Sequence, residues 1–277
     1  MLQRASVKVL VGQKQTLVLK MFCEVRKGEA EGRLLLQGEA PLSELQLSVV
    51  ASTLSLSEEQ TDHLAQVVES HRNAGRVVTD NPIYRLESWT LGESLHLQVS
   101  ERSYFDSVLL KKYPQWGLRS QVLAVVCVTQ CADGLILEKR SEKVAALPGY
   151  LHPAPSGSVE PPSHPLETLY DESREELGLL PEELTDVACL GLVYGELSGV
   201  YQLVCRASTE LSLREIDARS CEGRWERASL TCAPLDPAGL PRWIEENRGN
   251  LTIGGRVALQ MEGGRQWGST WFEEQEL

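Results

Sequence analysis

The sequence predicts an α+β protein in two parts that meet near residue 115. Three observations carry that expectation. Short apolar runs, alternating or continuous, recur between Gly- and charge-rich turns, as strands do. Two amphipathic helical patterns interrupt them, at 57–73 and 165–177, each with start and stop signals. Helical patterns also close the chain. At 277 residues the chain can bury one large core or two modest ones.

The first part, residues 1–115, reads as a β-rich N-terminal domain with one helix. Strands are expected at Ala5–Val11, Thr16–Val25, Arg33–Leu36 and Leu45–Val50. Ser57 suits an N-cap, Glu58 and Glu59 suit a first turn, and Leu64, Val67, Val68 and His71 share one face, with Gly75 as the stop. Tyr84–Trp89 and Leu95–Val99 are expected to form a further strand pair.

The second part, residues 116–277, opens with a hairpin: Val122–Thr129, a turn at Cys131-Ala132-Asp133-Gly134, and Leu135–Arg140. From Leu147 to Pro162 prolines and glycines preclude a helix. A helix is expected from Pro165 to Leu177, closed by Gly178. Strands follow at Val187–Tyr194, Val200–Cys205 and Trp225–Ala228, then helices near Leu240–Asn247 and Ile253–Glu262.

Composition narrows the function classes. A net charge of −12 repels a polyphosphate backbone, so no nucleic acid polymer is an expected partner. A small phosphate ligand stays compatible, because a local cation overrides the global field. The longest apolar run, Val122 to Val128, is far too short to span a membrane, and Lys8 interrupts what would be the core of a signal peptide. Cysteines at 23, 127, 131, 189, 205, 221 and 232 are odd in number and irregularly spaced, which fits reduced thiols in a cytoplasmic protein better than a disulfide framework. A homodimer is left open.

The most informative segment is Ser156-Gly157-Ser158-Val159-Glu160-Pro161 and the helix carrying Asp171-Glu172-Ser173-Arg174-Glu175-Glu176-Leu177-Gly178-Leu179. On a regular helix Glu172, Glu175 and Glu176 stand at i, i+3 and i+4 and crowd one face, while Leu166, Leu169, Tyr170, Ser173 and Leu177 face the core. One reading is a solvated acidic face, and charged helix faces are common. The other is an oxygen-ligand site for a hard cation that binds phosphate and activates water. The glycine turn ahead of the helix favours the second.

Counted from Gly157, the segment resembles the signature box of the Nudix hydrolases: Gly, five residues, Glu, seven residues, Arg-Glu, an apolar residue, any residue, Glu-Glu, any residue, Gly, an apolar residue. Glu172, Glu175, Glu176, Gly178 and Leu179 match, as does the frequent Val159-Glu160-Pro161. Ser163 replaces the first Glu, Asp171 the Arg, Ser173 the apolar residue and Ser156 a common glycine. Because Ser163 and Asp171 are changed together, neither position leaves a buried charge unpaired. Asp171 is expected to bond Ser163 or His164 instead.

The resemblance implies a Nudix-type α/β/α sandwich with a mixed sheet, and Mg²⁺ (or Mn²⁺) held by the Ser156 carbonyl with Glu172 and Glu176. Glu175 would serve a second metal or position the water. A later-loop Glu commonly acts as base or extra ligand in the family. Glu222 is the candidate, with a plain surface carboxylate as the alternative. Arg140 and Tyr104 are candidates for binding a substrate phosphate and base. Tyr104, like Trp116, reads as a lone aromatic first as core or hinge packing and second as a stacking surface for a base.

Asn81-Pro82-Ile83-Tyr84-Arg85-Leu86, Ser103-Tyr104-Phe105-Asp106 and Arg140-Ser141 with Val144 and Pro148-Gly149 look more loosely like the eukaryotic Nudix branch that cleaves UDP-glucose and UDP-galactose. The function implied is metal-dependent pyrophosphate hydrolysis of a small-molecule nucleoside diphosphate derivative. The alternative is a Nudix-fold module that binds nucleotide without cleaving it, its box weakened at Ser163 and Asp171.

Overall fold

A computed structural model describes residues 23–27, 32–73, 80–92, 94–110, 113–144, 147–196 and 198–275. The strand expected at Ala5–Val11, most of that at Thr16–Val25, and Gly75 lie outside them. Twelve described strands form one mixed sheet flanked by helices, an α+β architecture.

Strands β1 (Cys23–Lys27), β2 (Gly32–Pro41) and β3 (Gln46–Val49) precede helix α1 (Glu58–Asn73). Ser57 caps α1 reciprocally with Gln60: each side chain accepts the other's backbone N–H, at 3.2 and 2.9 Å. Leu64 is buried and Val67 and Val68 are half-buried, as the helical period requires. β4 (Pro82–Leu91) and β5 (Leu95–Ser103) pair antiparallel. A short helix not foreseen, α2 (Tyr104–Leu109), follows directly, because the Ser103 hydroxyl accepts the N–H groups of Phe105 and Asp106.

β6 (Val122–Cys131) organises the rest. One edge runs parallel to β11 (Val200–Ser208) over its whole length. The other is shared: β4 meets its start at Val122, β9 (Ser156–Ser158) its middle, and β7 (Gly134–Arg140) its end. β7 also pairs with β8 (Leu151–Pro153) and β12 (Arg227–Ala233), and β10 (Thr185–Gly195) lies between β11 and β2. The sheet thus joins strands from before and after residue 116.

Side-chain alternation along β6 builds two cores. Val125 and Cys127 face a layer containing α3 (Pro165–Glu172), with Leu169 and Leu177 buried against them. Val126 and Val128 face the layer of α5 (Gly239–Glu246), α6 (Ile253–Trp267) and α7 (Ser269–Glu273), packing with Leu240, Ala258 and Leu259. Because both faces are covered, β6 reads as an unbroken apolar run. Each fully buried Leu or Val contributes roughly 1.5–3 kcal/mol.

Several boundaries differ from expectation. The Pro/Gly-rich stretch holds two three-residue strands, β8 and β9, because β7 and β6 offer free ladder positions to an otherwise irregular segment. The strand expected at Trp225–Ala228 begins only at Arg227. Glu222–Glu226 form a tight 3₁₀ turn, since Gly223 packs against the backbone of Glu175 and Glu176. α4 (Leu213–Asp217) and α7 are too short to show a helical period. Among the described residues no helix is long and apolar enough to cross a membrane.

Candidate active site

α3 is set by its ends. Pro165 occupies the first turn, the His164 ring accepts the Leu166 N–H at 3.1 Å, and the Glu167 carboxylate accepts the His164 N–H at 2.7 Å. The other ring nitrogen of His164 therefore donates to the Leu45 carbonyl, at 2.8 Å. After Glu172 the helix widens into one π turn, Ser173–Leu177, and stops at Gly178, whose φ of +69° is the left-handed C-cap conformation.

The widened turn changes which carboxylates face inward. Regular spacing puts Glu172, Glu175 and Glu176 on one face. The extra residue of the π turn instead leaves the Glu175 side chain about half exposed (47%), beside Arg174, while Glu176 is buried. Glu176 Oε2 accepts the Ser156 N–H at 3.0 Å. Glu172 lies against Gly157 so closely that a Cβ there would stand 1.7 Å from its Oε1. The glycine is thus required by the approach of the Glu172 carboxylate.

Two further carboxylates complete the cluster, neither of them among the sequence-based candidates. Glu138 on β7 is almost wholly buried; Arg140 reaches its Oε1 at 3.3 Å, and its buried Oε2 has no hydrogen-bond partner. Glu226 ends the 3₁₀ turn before β12. Burial pushes all four acids up. Glu172 rises to about 8, with Glu175, Glu226, Glu160 and Asp171 adding to it. Glu138 rises to about 7, Glu226 adding and Arg140 and Arg227 opposing. Glu176 rises well above the usual carboxylate range through burial, then Glu138 and Glu172. Glu226 rises through burial, against Arg140 and with Glu175. Burial is the largest cause in each case, and repulsion among the carboxylates adds to it.

The rim is mixed. Tyr104 lies within electrostatic reach of Arg140 and Glu226, and burial raises its phenol. His152 is buried and held neutral, lowered to about 3 by burial and by Arg140. Its Nδ1 lies 2.6 Å from the hydroxyl of Thr252, the residue that caps α6. Behind the π turn, the buried Arg227 donates from Nη1 to the Glu176 carbonyl, and the Cys221 thiol donates to the same oxygen at 3.3 Å. A cation there meets helix carbonyls left without N–H partners.

The structure brings Ser156, Glu172, Glu176, Arg140 and Tyr104 to one place and leaves Glu175 at its exposed edge. Glu222 is exposed at the start of the 3₁₀ turn, and Glu226 at its end is the residue that meets the cluster. Asp171 bonds neither Ser163 nor His164: it pairs with Arg174 at 3.1 Å on the surface, and both nitrogens of His164 are engaged elsewhere. Trp116 stacks on Tyr113 (centroids 4.5 Å apart, planes 16°) and meets the edge of His63, away from the carboxylates. Glu138 left one trace in the sequence, an acid among the apolar residues of Leu135–Leu137 at the end of an inward-facing run.

The donor set suits a hard divalent cation: all oxygens, an excess of acids over partnered bases, and one buried carboxylate oxygen without a partner. Among the described residues no three His, Cys, Asp or Glu side chains converge on a single point as a finished cage. One or two carboxylates, with waters and a substrate phosphate, is the mode Mg²⁺ ordinarily adopts.

No protein-family profile and no curated protein sequence matches the chain. Solved structures resembling part of it include an Ap4A hydrolase from C. elegans (18% identity, 52% of this chain and 97% of that one, TM-score 0.37). A MutT protein from Methanosarcina mazei is similar at 18% identity, over 52% and 94%, with a TM-score of 0.38. A bifunctional NMN adenylyltransferase/ADP ribose pyrophosphatase from Francisella tularensis, solved with AMP and manganese, is similar at 12% identity, over 57% and 47%, with a TM-score of 0.37.

Proposed function

We propose that the chain is a metal-dependent pyrophosphohydrolase acting on a small nucleoside diphosphate derivative. The observation that carries this reading is the group of four buried or half-buried acids, Glu138, Glu172, Glu176 and Glu226, within electrostatic reach of one another, with Glu172 and Glu176 against the Ser156–Ser158 strand and one carboxylate oxygen unpartnered. A divalent ion would supply charge neutralisation for the diphosphate and lower the pKa of a bound water. Glu172 and Glu176 are the residues that would hold it, with Glu138 behind them and the Ser156 carbonyl beside them.

The chain's own groups do the rest. Arg140 is positioned to hold a phosphate oxygen through charge-assisted hydrogen bonds, and Glu138 beside it keeps its guanidinium in place. Glu226, at the half-buried edge of the cluster, takes the proton of the attacking water at a carboxylate oxygen. Glu175 at the exposed edge orients that water. Tyr104 lines the side from which the remainder of the substrate enters. Hydrolysis then breaks the phosphoanhydride bond and releases a nucleoside monophosphate. A UDP-sugar is the specific substrate we propose, on the sequence similarities around Asn81–Leu86, Ser103–Asp106 and Arg140-Ser141.

The test is product release from a panel of nucleotide sugars, dinucleotides and ADP-ribose, with Mg²⁺ or Mn²⁺ and with a chelator. Glu176→Gln keeps the acceptor for the Ser156 N–H and removes the charge, and turnover should fall by roughly 10²–10⁴-fold. A Glu176→Gln protein as active as the parent would falsify the site assignment. Nucleotide binding with no turnover under either metal would establish the second reading, a binding module. The surface pairing of Asp171 with Arg174, where the family pattern has its Arg, favours that reading.

A further inference from the structure

We propose that Cys131 and Cys232 form a redox-active dithiol that a hydroperoxide converts to an intramolecular disulfide. Their Sγ atoms lie 3.5 Å apart, although 101 positions separate them in the chain. Cys131 ends β6 and Cys232 lies on β12, with β7 between the two strands. Gly134, the β7 residue paired with Cys131, lies beside Cys232. A Cβ at Gly134 would stand 3.4 Å from Cys232 Cβ and 2.4 Å from the Ala233 carbonyl, so a glycine there lets β12 pack closely on the hairpin.

The hairpin turn supplies the second element. Cys131 and Gly134 are the last ladder pair of the β6–β7 hairpin, so the backbone amides of the turn lie beside Cys131. The contact with Cys232 lowers the Cys131 thiol most, the turn's backbone amides adding to it and burial and the Asp133 carboxylate opposing, while the same contact and burial raise Cys232. One proton is thus shared by the pair. Cys232 is partly exposed, so a small oxidant reaches the pair from its side. The other neighbouring thiols, Cys189 and Cys205, are buried in the apolar core, out of reach of an oxidant in solution.

The step balances. The Cys131 thiolate attacks a peroxide oxygen, the O–O bond breaks, and hydroxide leaves with the peroxide's electrons, giving a sulfenic acid at Cys131. The Cys232 sulfur then displaces the sulfenic hydroxyl, its proton leaving with that oxygen as water. The sum is two thiols and one hydrogen peroxide giving one disulfide and two waters. The link ties β6 to β12 at the end of the β7–β12 ladder remote from Arg140 and Arg227.

The experiment uses the reduced full-length chain and hydrogen peroxide at a small molar excess, followed by alkylation, digestion and mass spectrometry. The expected result is one dithiothreitol-reversible peptide pair joining Cys131 to Cys232, with Cys127, Cys189 and Cys205 still alkylatable after unfolding. Cys232→Ser should abolish the link and leave a dimedone-trappable sulfenic acid at Cys131. As a measurement free of any variant, phenylarsine oxide should bind the reduced chain one to one and not bind the oxidised chain. Cys131 and Cys232 both remaining alkylatable at peroxide doses that oxidise Cys221, or a disulfide among other cysteines in their place, overturns the proposal.

Discussion

Gly157 and Glu172 define the site at the scale of single residues. The backbone of a three-residue strand passes so near a carboxylate that only hydrogen fits on its α-carbon. Gly157→Ala should rotate the Glu172 carboxylate away at little cost in stability, about 1 kcal/mol, because the obstructing atoms end a flexible side chain. Metal affinity should nevertheless fall roughly 10–100-fold, as it does when a carboxylate loses its orienting shell. Isothermal titration with Mg²⁺ beside a urea melt checks both, and unchanged affinity would refute the role given to Glu172. The glycine and the two glutamates were legible in the sequence as a spaced motif. Glu138 and Glu226 were not, since a single acid carries no information about the strand or turn that will bring it inward.

The informative element is the helix that begins at Pro165. Its start, its apolar face and its glycine stop follow from local chemistry, and the sequence shows all three. Its last turn does not follow. The π turn at Ser173–Leu177 turns Glu175 outward and leaves the Glu176 carbonyl to the buried Arg227 and to Cys221, both distant in sequence. Arg227→Met keeps the volume and removes the donor. It should destabilise the chain by about 1.5–3 kcal/mol, the scale of a hydrogen bond to a charged group. Differential scanning calorimetry would register this as a melting temperature lower by several degrees; an unchanged one would show that Arg227 does not secure the turn.

Across the whole molecule, β6 acts as the axis. One edge takes β11 throughout, and the other takes three separate segments in succession, which sets β9 beside α3 and β7 beside β12. The carboxylates arrive together by that route, in a chain of net charge −12. A cation that binds the folded state alone stabilises it by RT ln(1 + [L]/Kd), about 2.7 kcal/mol at a hundred times Kd. Mg²⁺ at millimolar concentration and constant ionic strength should therefore raise the melting temperature by several degrees. The rise should be abolished in a Glu172→Gln, Glu176→Gln double variant and reversed by chelator. Equal shifts in parent and variant would place the ion elsewhere.

The sequence by itself determined the α+β class, most strands and helices of the described residues, and the spaced glycine and glutamates of the segment 156–179. These depend on period, capping and turn residues, which act over a few positions. Only the tertiary structure decided which acids meet, which one turns to solvent, and that two distant thiols touch. Those outcomes depend on which strand lies beside which and on the close approach of backbone to side chain. Both are properties of long-range pairing that no short stretch of residues encodes.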